Sequence, residues 1–167
     1  ARSEAVPPEA ATEGGGDRAS APAGSTSRGG ASPEDAAARR AQIAALDWEA
    51  FDADVAACTA CGLCRSRNKA VPGVGDRRAE WLFVGEGPGA EEDAKGEPFV
   101  GQAGKLLDGM LAALGMRRGE NVYIANVVKC RPPNNRTPEP AEAEACRPYL
   151  ERQIALIRPR LIVALGK

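Results

Sequence analysis

Five cysteines are the residues of this sequence best suited to chemistry, and all lie at or beyond position 58. Cys58-Thr59-Ala60-Cys61 has the spacing that lets two thiolates of one turn address the same metal, and Cys64 repeats the step. Cys130 and Cys146 are too far apart to chelate as a pair, but they could close a four-thiolate site with the first pair. Spacing does not separate zinc from an iron-sulfur cluster, since both accept four thiolates. The count is odd, so one thiol is left over.

A second group of candidates binds without metal. Gly85-Glu86-Gly87-Pro88-Gly89-Ala90-Glu91-Glu92-Asp93 follows an apolar segment, where a ligand loop would sit. Its third Gly comes too early for a dinucleotide fingerprint, and its acids would repel a pyrophosphate. No Lys-Ser or Lys-Thr follows, which excludes a phosphate loop. What remains is a tight turn that presses backbone amides against a flat ligand and holds carboxylates beside it. Phe99 offers a ring to stack on, and Asn126 offers a paired donor and acceptor that matches the edge of a pyrimidine. Beyond Asn126 the segment Lys129 to Thr137 is locally basic, and Arg131 and Arg136 are its candidates for phosphate contact.

These residues need elements to position them. Residues 1–32 are mainly Ala, Gly, Pro, Ser, Glu and Arg, with Val6 as the one branched apolar residue, and read as a disordered low-complexity tail. Residues 33–167 read as one domain. Ser32-Pro33-Glu34-Asp35 starts a helix expected to run to about Ala57. Trp81–Val84, Val122–Val128 and Leu161–Leu165 read as buried strands. A helix from about Ala103 to Leu114 places Leu106, Leu107, Met110, Leu111 and Leu114 on one face, and another runs from about Pro140 to Ile157. The alternation predicts an α/β fold with a central parallel sheet flanked by helices in three layers, and ligands at the carboxyl ends of the strands. The third strand is apolar throughout and expects cover on both faces, so the fold reads as truncated at the C-terminus.

Lys plus Arg number 22 against 23 Asp plus Glu, so any contact with nucleic acid is a local patch and not a global charge effect. The sequence has no apolar run of about 18 residues and no secretory core at its start, and a cytoplasmic protein is expected. In a reducing compartment the cysteines are metal ligands or reactive thiols before they are disulfides.

Several motifs, in order and spacing, resemble the iron-sulfur, or family 4, uracil-DNA glycosylases. They are Gly85-Glu-Gly-Pro-Gly89 with Glu92-Asp93, then Pro98-Phe-Val-Gly101-Gln-Ala-Gly104, then Ile124-Ala-Asn126-Val-Val-Lys-Cys130-Arg-Pro-Pro133. The resemblance covers roughly Cys58 to Lys167. It implies a four-iron, four-sulfur (4Fe-4S) cluster on Cys58, Cys61, Cys130 and Cys146, with Cys64 as the spare thiol. It implies a uracil pocket built from Glu86, Gly87, Phe99 and Asn126, with Glu86 or Glu92 handling water or facing the sugar cation. Uracil-containing DNA is the implied partner, and a monomer with no membrane association is expected. The family's C-terminal His motif has no counterpart in a sequence without His, and its place is expected beyond Lys167. A relative that binds uracil covalently uses a His after the second strand, and Arg131 to Thr137 contains none. Two other readings stay open: a non-catalytic module that recognises uracil or single-stranded DNA, and a zinc-bearing structural domain.

Overall fold

The structure, a computed structural model, describes residues 32–166, so the expected tail lies outside the described residues apart from Ser32. Ser32 opens α1 (Pro33–Ala45). Its hydroxyl accepts from the Asp35 N–H at 3.1 Å, while the Asp35 carboxylate accepts from the Ser32 N–H at 3.1 Å. The helix expected to continue to Ala57 is in fact two. Leu46 turns to extended backbone, and Asp47 caps α2 (Trp48–Ala57) by accepting from the Ala50 N–H at 2.9 Å. A short Asp side chain that bonds the backbone locally favours a new start over continuation.

The elements that follow are β1 (Val74–Gly75), β2 (Trp81–Gly85), α3 (Ala90–Lys95), α4 (Gln102–Ala113), β3 (Val122–Asn126), α5 (Pro140–Ile157) and β4 (Leu161–Ala164). In the sheet the order is β1-β3-β2-β4. The three expected strands are mutually parallel, and β1, too short to carry an apolar pattern, pairs antiparallel with β3 and makes the sheet mixed. Helix α3 occupies the second half of the glycine loop, which sequence had read as turn alone. It stops at Gly96, whose φ of 86° suits a residue without Cβ.

Period-two alternation distributes the strands between two helical layers. Leu82 and Val84 of β2, with Tyr123 and Ala125 of β3, pack against Leu150, Ile154 and Ile157 of α5. Phe83, Val122 and Ile124 pack on the other face against Leu107 and Leu111 of α4. A third core of Ile43, Phe51, Val55, Leu63, Val128 and Tyr149 joins the first two helices to α5 and includes Cys130 and Cys146.

Two burial expectations are corrected. Of the five residues expected on one face of this helix, Leu107 and Leu111 are buried, while Leu106, Met110 and Leu114, the last just past the end of α4, are 68%, 52% and 66% exposed. The exposed row is displaced by one residue, about 100° around the helix, so it turns away from the sheet. Strand β4 is an edge strand next to β2, and Leu161 and Ile162 are exposed, not covered on both faces. No helix among the described residues is long and apolar enough to cross a membrane.

One carboxylate ties the cysteine-bearing segment to the glycine loop. Asp93 of α3 is fully buried and accepts from Asn68 twice, from the backbone N–H at 2.9 Å and from Nδ2 at 2.6 Å. The acidic flank of the loop is therefore not simply solvated. Asp93→Ala should strand both Asn68 donors and lower stability by about 1–3 kcal/mol, read as a lower urea midpoint. An unchanged midpoint would show that the tether contributes nothing.

Candidate functional site

Strands β2 and β3 end side by side, with Gly85 in register with Asn126. By the alternation both face the α4 side, the side on which Phe99 packs. Gly85 is obligatory there. A Cβ on it would lie 2.5 Å from Asn126 Oδ1 and 2.5 Å from Phe99 Cζ, so the amide and the ring converge over a residue that has no side chain. Gly87, Gly89, Glu92, Phe99, Ala103 and Asn126 line the resulting concavity of about 240 Å³. Asn126 is buried, and among the described residues its Nδ2 has no hydrogen-bond partner.

The two candidate acids are placed differently. Glu92 lines the concavity, but both its oxygens are engaged. Oε1 accepts from Val100 N–H at 2.8 Å and from Gly101 N–H at 3.0 Å, and Oε2 accepts from Gly89 N–H at 3.1 Å. Burial pushes its pKa up, yet the N–H groups of Gly101, Val100 and Gly89 outweigh it and hold the carboxyl below its usual range. Glu86 is exposed and lines an adjoining concavity together with Gly87, Pro132, Asn135, Arg136 and Thr137. In that second loop Arg136 is bound to the Glu142 carboxylate at 2.7 and 2.8 Å, and Arg131 donates to Asn135 Oδ1 at 2.7 Å.

Behind the strand ends, all five cysteines line one space with Val55, Lys129 and Tyr149. Cys58 ends α2, Cys61 and Cys64 lie on the turn that follows, Cys130 comes four residues after β3, and Cys146 is on α5. Cationic and backbone donors point at sulfur: Arg67 Nη1 to Cys130 at 2.9 Å, Arg39 Nη2 to Cys58 at 3.5 Å, and Lys129 N–H to Cys146 at 3.3 Å. Burial pushes the Cys61 and Cys130 thiols up, and that of Cys146 up to about 11. Such thiols give up their protons to a metal and not to water at neutral pH. Among the described residues, no three Cys, Asp or Glu side chains are close enough to share a single ion. The thiols ring a space instead of meeting at a point.

Lys129, which sequence had read only as part of a basic loop, is fully buried. Its Nζ donates to the Asn126 carbonyl at 2.7 Å and to Gln153 Oε1 at 2.6 Å. Burial brings its pKa down to about 8, against the opposing pull of Cys146. Arg39 and Arg67 likewise had no signal as single residues, and Asp93 was read only as part of an acidic motif, because their partners come from other elements.

A profile of the uracil DNA glycosylase superfamily matches residues 72–167, and the chain belongs to that superfamily. It is 58% identical to the type-4 uracil-DNA glycosylase of Archaeoglobus fulgidus over 68% of this chain and 57% of that protein. With the type-4 enzyme of Thermotoga maritima it shares 58% identity over 65% of this chain and 56% of the relative. The type-5 uracil-DNA glycosylase of Thermus thermophilus is 33% identical over 73% of this chain and 69% of the relative. The chain thus spans little more than half the length of the type-4 relatives.

The geometry carries a pH prediction. Glu92→Gln replaces an acceptor by a donor opposite backbone N–H groups and should cost about 1–3 kcal/mol at pH 7. The folded-state pKa of Glu92 is depressed, so the wild-type advantage is full above the unfolded carboxylate value, about 4.3. It disappears as pH falls through the folded value. Urea denaturation of both proteins at pH 7 and pH 3 checks this, and a difference that is constant across pH refutes it.

Proposed function

We propose that this chain carries the base pocket and cluster site of a uracil-DNA glycosylase, hydrolysing the N-glycosidic bond of uracil in DNA in base excision repair. The observation that carries the reading is the buried, unpartnered Nδ2 of Asn126 beside the Phe99 ring. A buried donor left unpaired costs about 1–3 kcal/mol, so its partner is expected to come from a ligand. Uracil matches it: one carbonyl oxygen accepts from Nδ2, the adjacent N–H donates to Oδ1, and the ring stacks on Phe99. The names of the similar proteins support the same class.

In this reading the nucleotide is extruded from the DNA, and its base enters between Phe99 and the glycine loop. The Gly87 N–H and the Asn126 amide stabilise negative charge on the uracil oxygens as the bond breaks. Glu92, with its oxygens engaged by three backbone N–H groups, holds the walls of the pocket. Glu86, at the exposed mouth, is the acid that faces the water or the developing positive sugar. The protein acts as a monomer in the cytoplasm.

Cys58, Cys61, Cys130 and Cys146 would hold a 4Fe-4S cluster, with Cys64 left as a neighbouring thiol. The donor set fits: thiols from three separated segments ring one space, with N–H donors aimed at their sulfurs. Such a cluster supplies a rigid cross-link between α2, the segment after β3 and α5.

The test is uracil excision from single-stranded and duplex oligonucleotides, using the chain after anaerobic cluster reconstitution and, in parallel, the complete natural gene product. Excision is expected, and Asn126→Asp should lower it by about 10²–10³-fold, the usual cost of one such donor. Binding of uracil-DNA by the complete product without excision would sink the catalytic reading. A brown protein absorbing at roughly 400 nm, bleached in Cys130→Ser, is the expected cluster signature. A colourless zinc protein would refute the cluster.

A further inference from the structure

Arg118 stands outside every motif read from the sequence and does not line the base pocket, yet the aromatic wall of that pocket hangs from it. Nη1 donates to the Pro98 carbonyl at 3.0 Å. Nη2 donates to the Phe99 carbonyl and, at 3.3 Å, to that of Gly104, while Nε faces the Asp108 carboxylate of α4. A planar guanidinium has its five N–H groups in a fixed fork, so bonding three carbonyls and one carboxylate fixes their relative positions.

The segment it holds needs holding. Phe99 has a φ of 55°, left-handed backbone that a bulky residue adopts only where its surroundings over-determine it. On one side the surrounding is bare helix: a Cβ on Gly104 would lie 1.7 Å from the Phe99 carbonyl oxygen, so α4 and Phe99 meet backbone to backbone. On the other side it is Arg118. Leu107 and Leu111 pack on Phe83, Val122 and Ile124 of the sheet, and Phe99 lies against the same cluster.

We infer that Arg118 is a positioning residue for base recognition, acting solely through Phe99: its fork locks the Pro98–Phe99 backbone and sets the ring at the angle that stacks the extruded base. This rests on the reading of the pocket as a uracil site. Lys cannot substitute, because a single ammonium cannot span the carbonyls that the fork reaches.

The test separates ring placement from activity. The chain contains three Phe, at 51, 83 and 99, so 4-fluorophenylalanine gives three ¹⁹F resonances, with Phe99→Leu assigning one. Phe51 belongs to the core around α1 and α2 and reports on the fold as a whole. In Arg118→Gln and Arg118→Lys the Phe99 resonance is expected to shift or broaden while that of Phe51 stays in place. In the cluster-loaded protein that excises uracil, kcat/KM should fall by about tenfold to a hundredfold, the effect of a ring misplaced by about 1 Å. In a Phe99→Leu background, Arg118→Gln should cost nothing further. An unmoved Phe99 resonance overturns the inference, as does a Phe51 shift of equal size or a full additional loss in the Phe99→Leu background. If no form of the protein excises uracil, the glycosylase reading falls, while the resonances still decide whether Arg118 sets the ring.

Discussion

The site depends on a side chain that is missing. Gly85 and Asn126 are neighbours in parallel strands, and because Gly85 has no Cβ the Asn126 amide and the Phe99 ring can occupy the space above it. Everything around the pocket serves that approach. The N–H groups gathered by Glu92 bring the start of α3 and the entry to α4 together. Gly104 lets α4 touch the Phe99 carbonyl. Any Cβ at Gly85 would push the Asn126 amide and the Phe99 ring out of the positions they hold.

The second support lies behind the strand. Lys129 holds the Asn126 carbonyl from the side opposite the pocket, next in sequence to Cys130 and bonded to Gln153 of α5. The peptide that presents the Asn126 amide is thereby anchored to the same elements that carry two of the thiols. The concavity at Asn126 and the thiol site are two faces of one strand end, joined by a buried amine and not by a flexible loop.

What was legible in the sequence was local. The apolar runs of β2, β3 and β4, the helix from Pro140 to Ile157 and the capping Ser32 each declare themselves through residues a few positions apart. Gly87, Phe99 and Asn126 were legible as candidates because a glycine loop, a ring and an amide follow one another in that order, while Gly85 was read only as part of the loop. The break at Asp47 was missed because the apolar spacing runs on across it, while one side-chain bond to Ala50 decides the backbone. The row of Leu106, Met110 and Leu114 was misjudged because width of pattern does not say how much of a helix the sheet covers. Arg118 was silent, and the bonds of Asp93 and Lys129, which stand inside quoted motifs, went unread for the same reason. A charged residue reads as solvated, and their bonds run 19, 25 and 24 positions along the chain to Phe99, Asn68 and Gln153.

The thiols have a topological consequence. Cys58 and Cys146 flank the whole interval that contains Gly85, Phe99, Arg118 and Asn126. Any group that joins these two cysteines closes the intervening chain into a ring, and in the unfolded ensemble the loss of freedom for a ring of that size is worth roughly 4–5 kcal/mol by the chain-entropy account of cross-links. With such a group in place the pocket would be a segment of a closed circuit, and the entropy removed by closing it would favour the compact arrangement in which β2 and β3 end together.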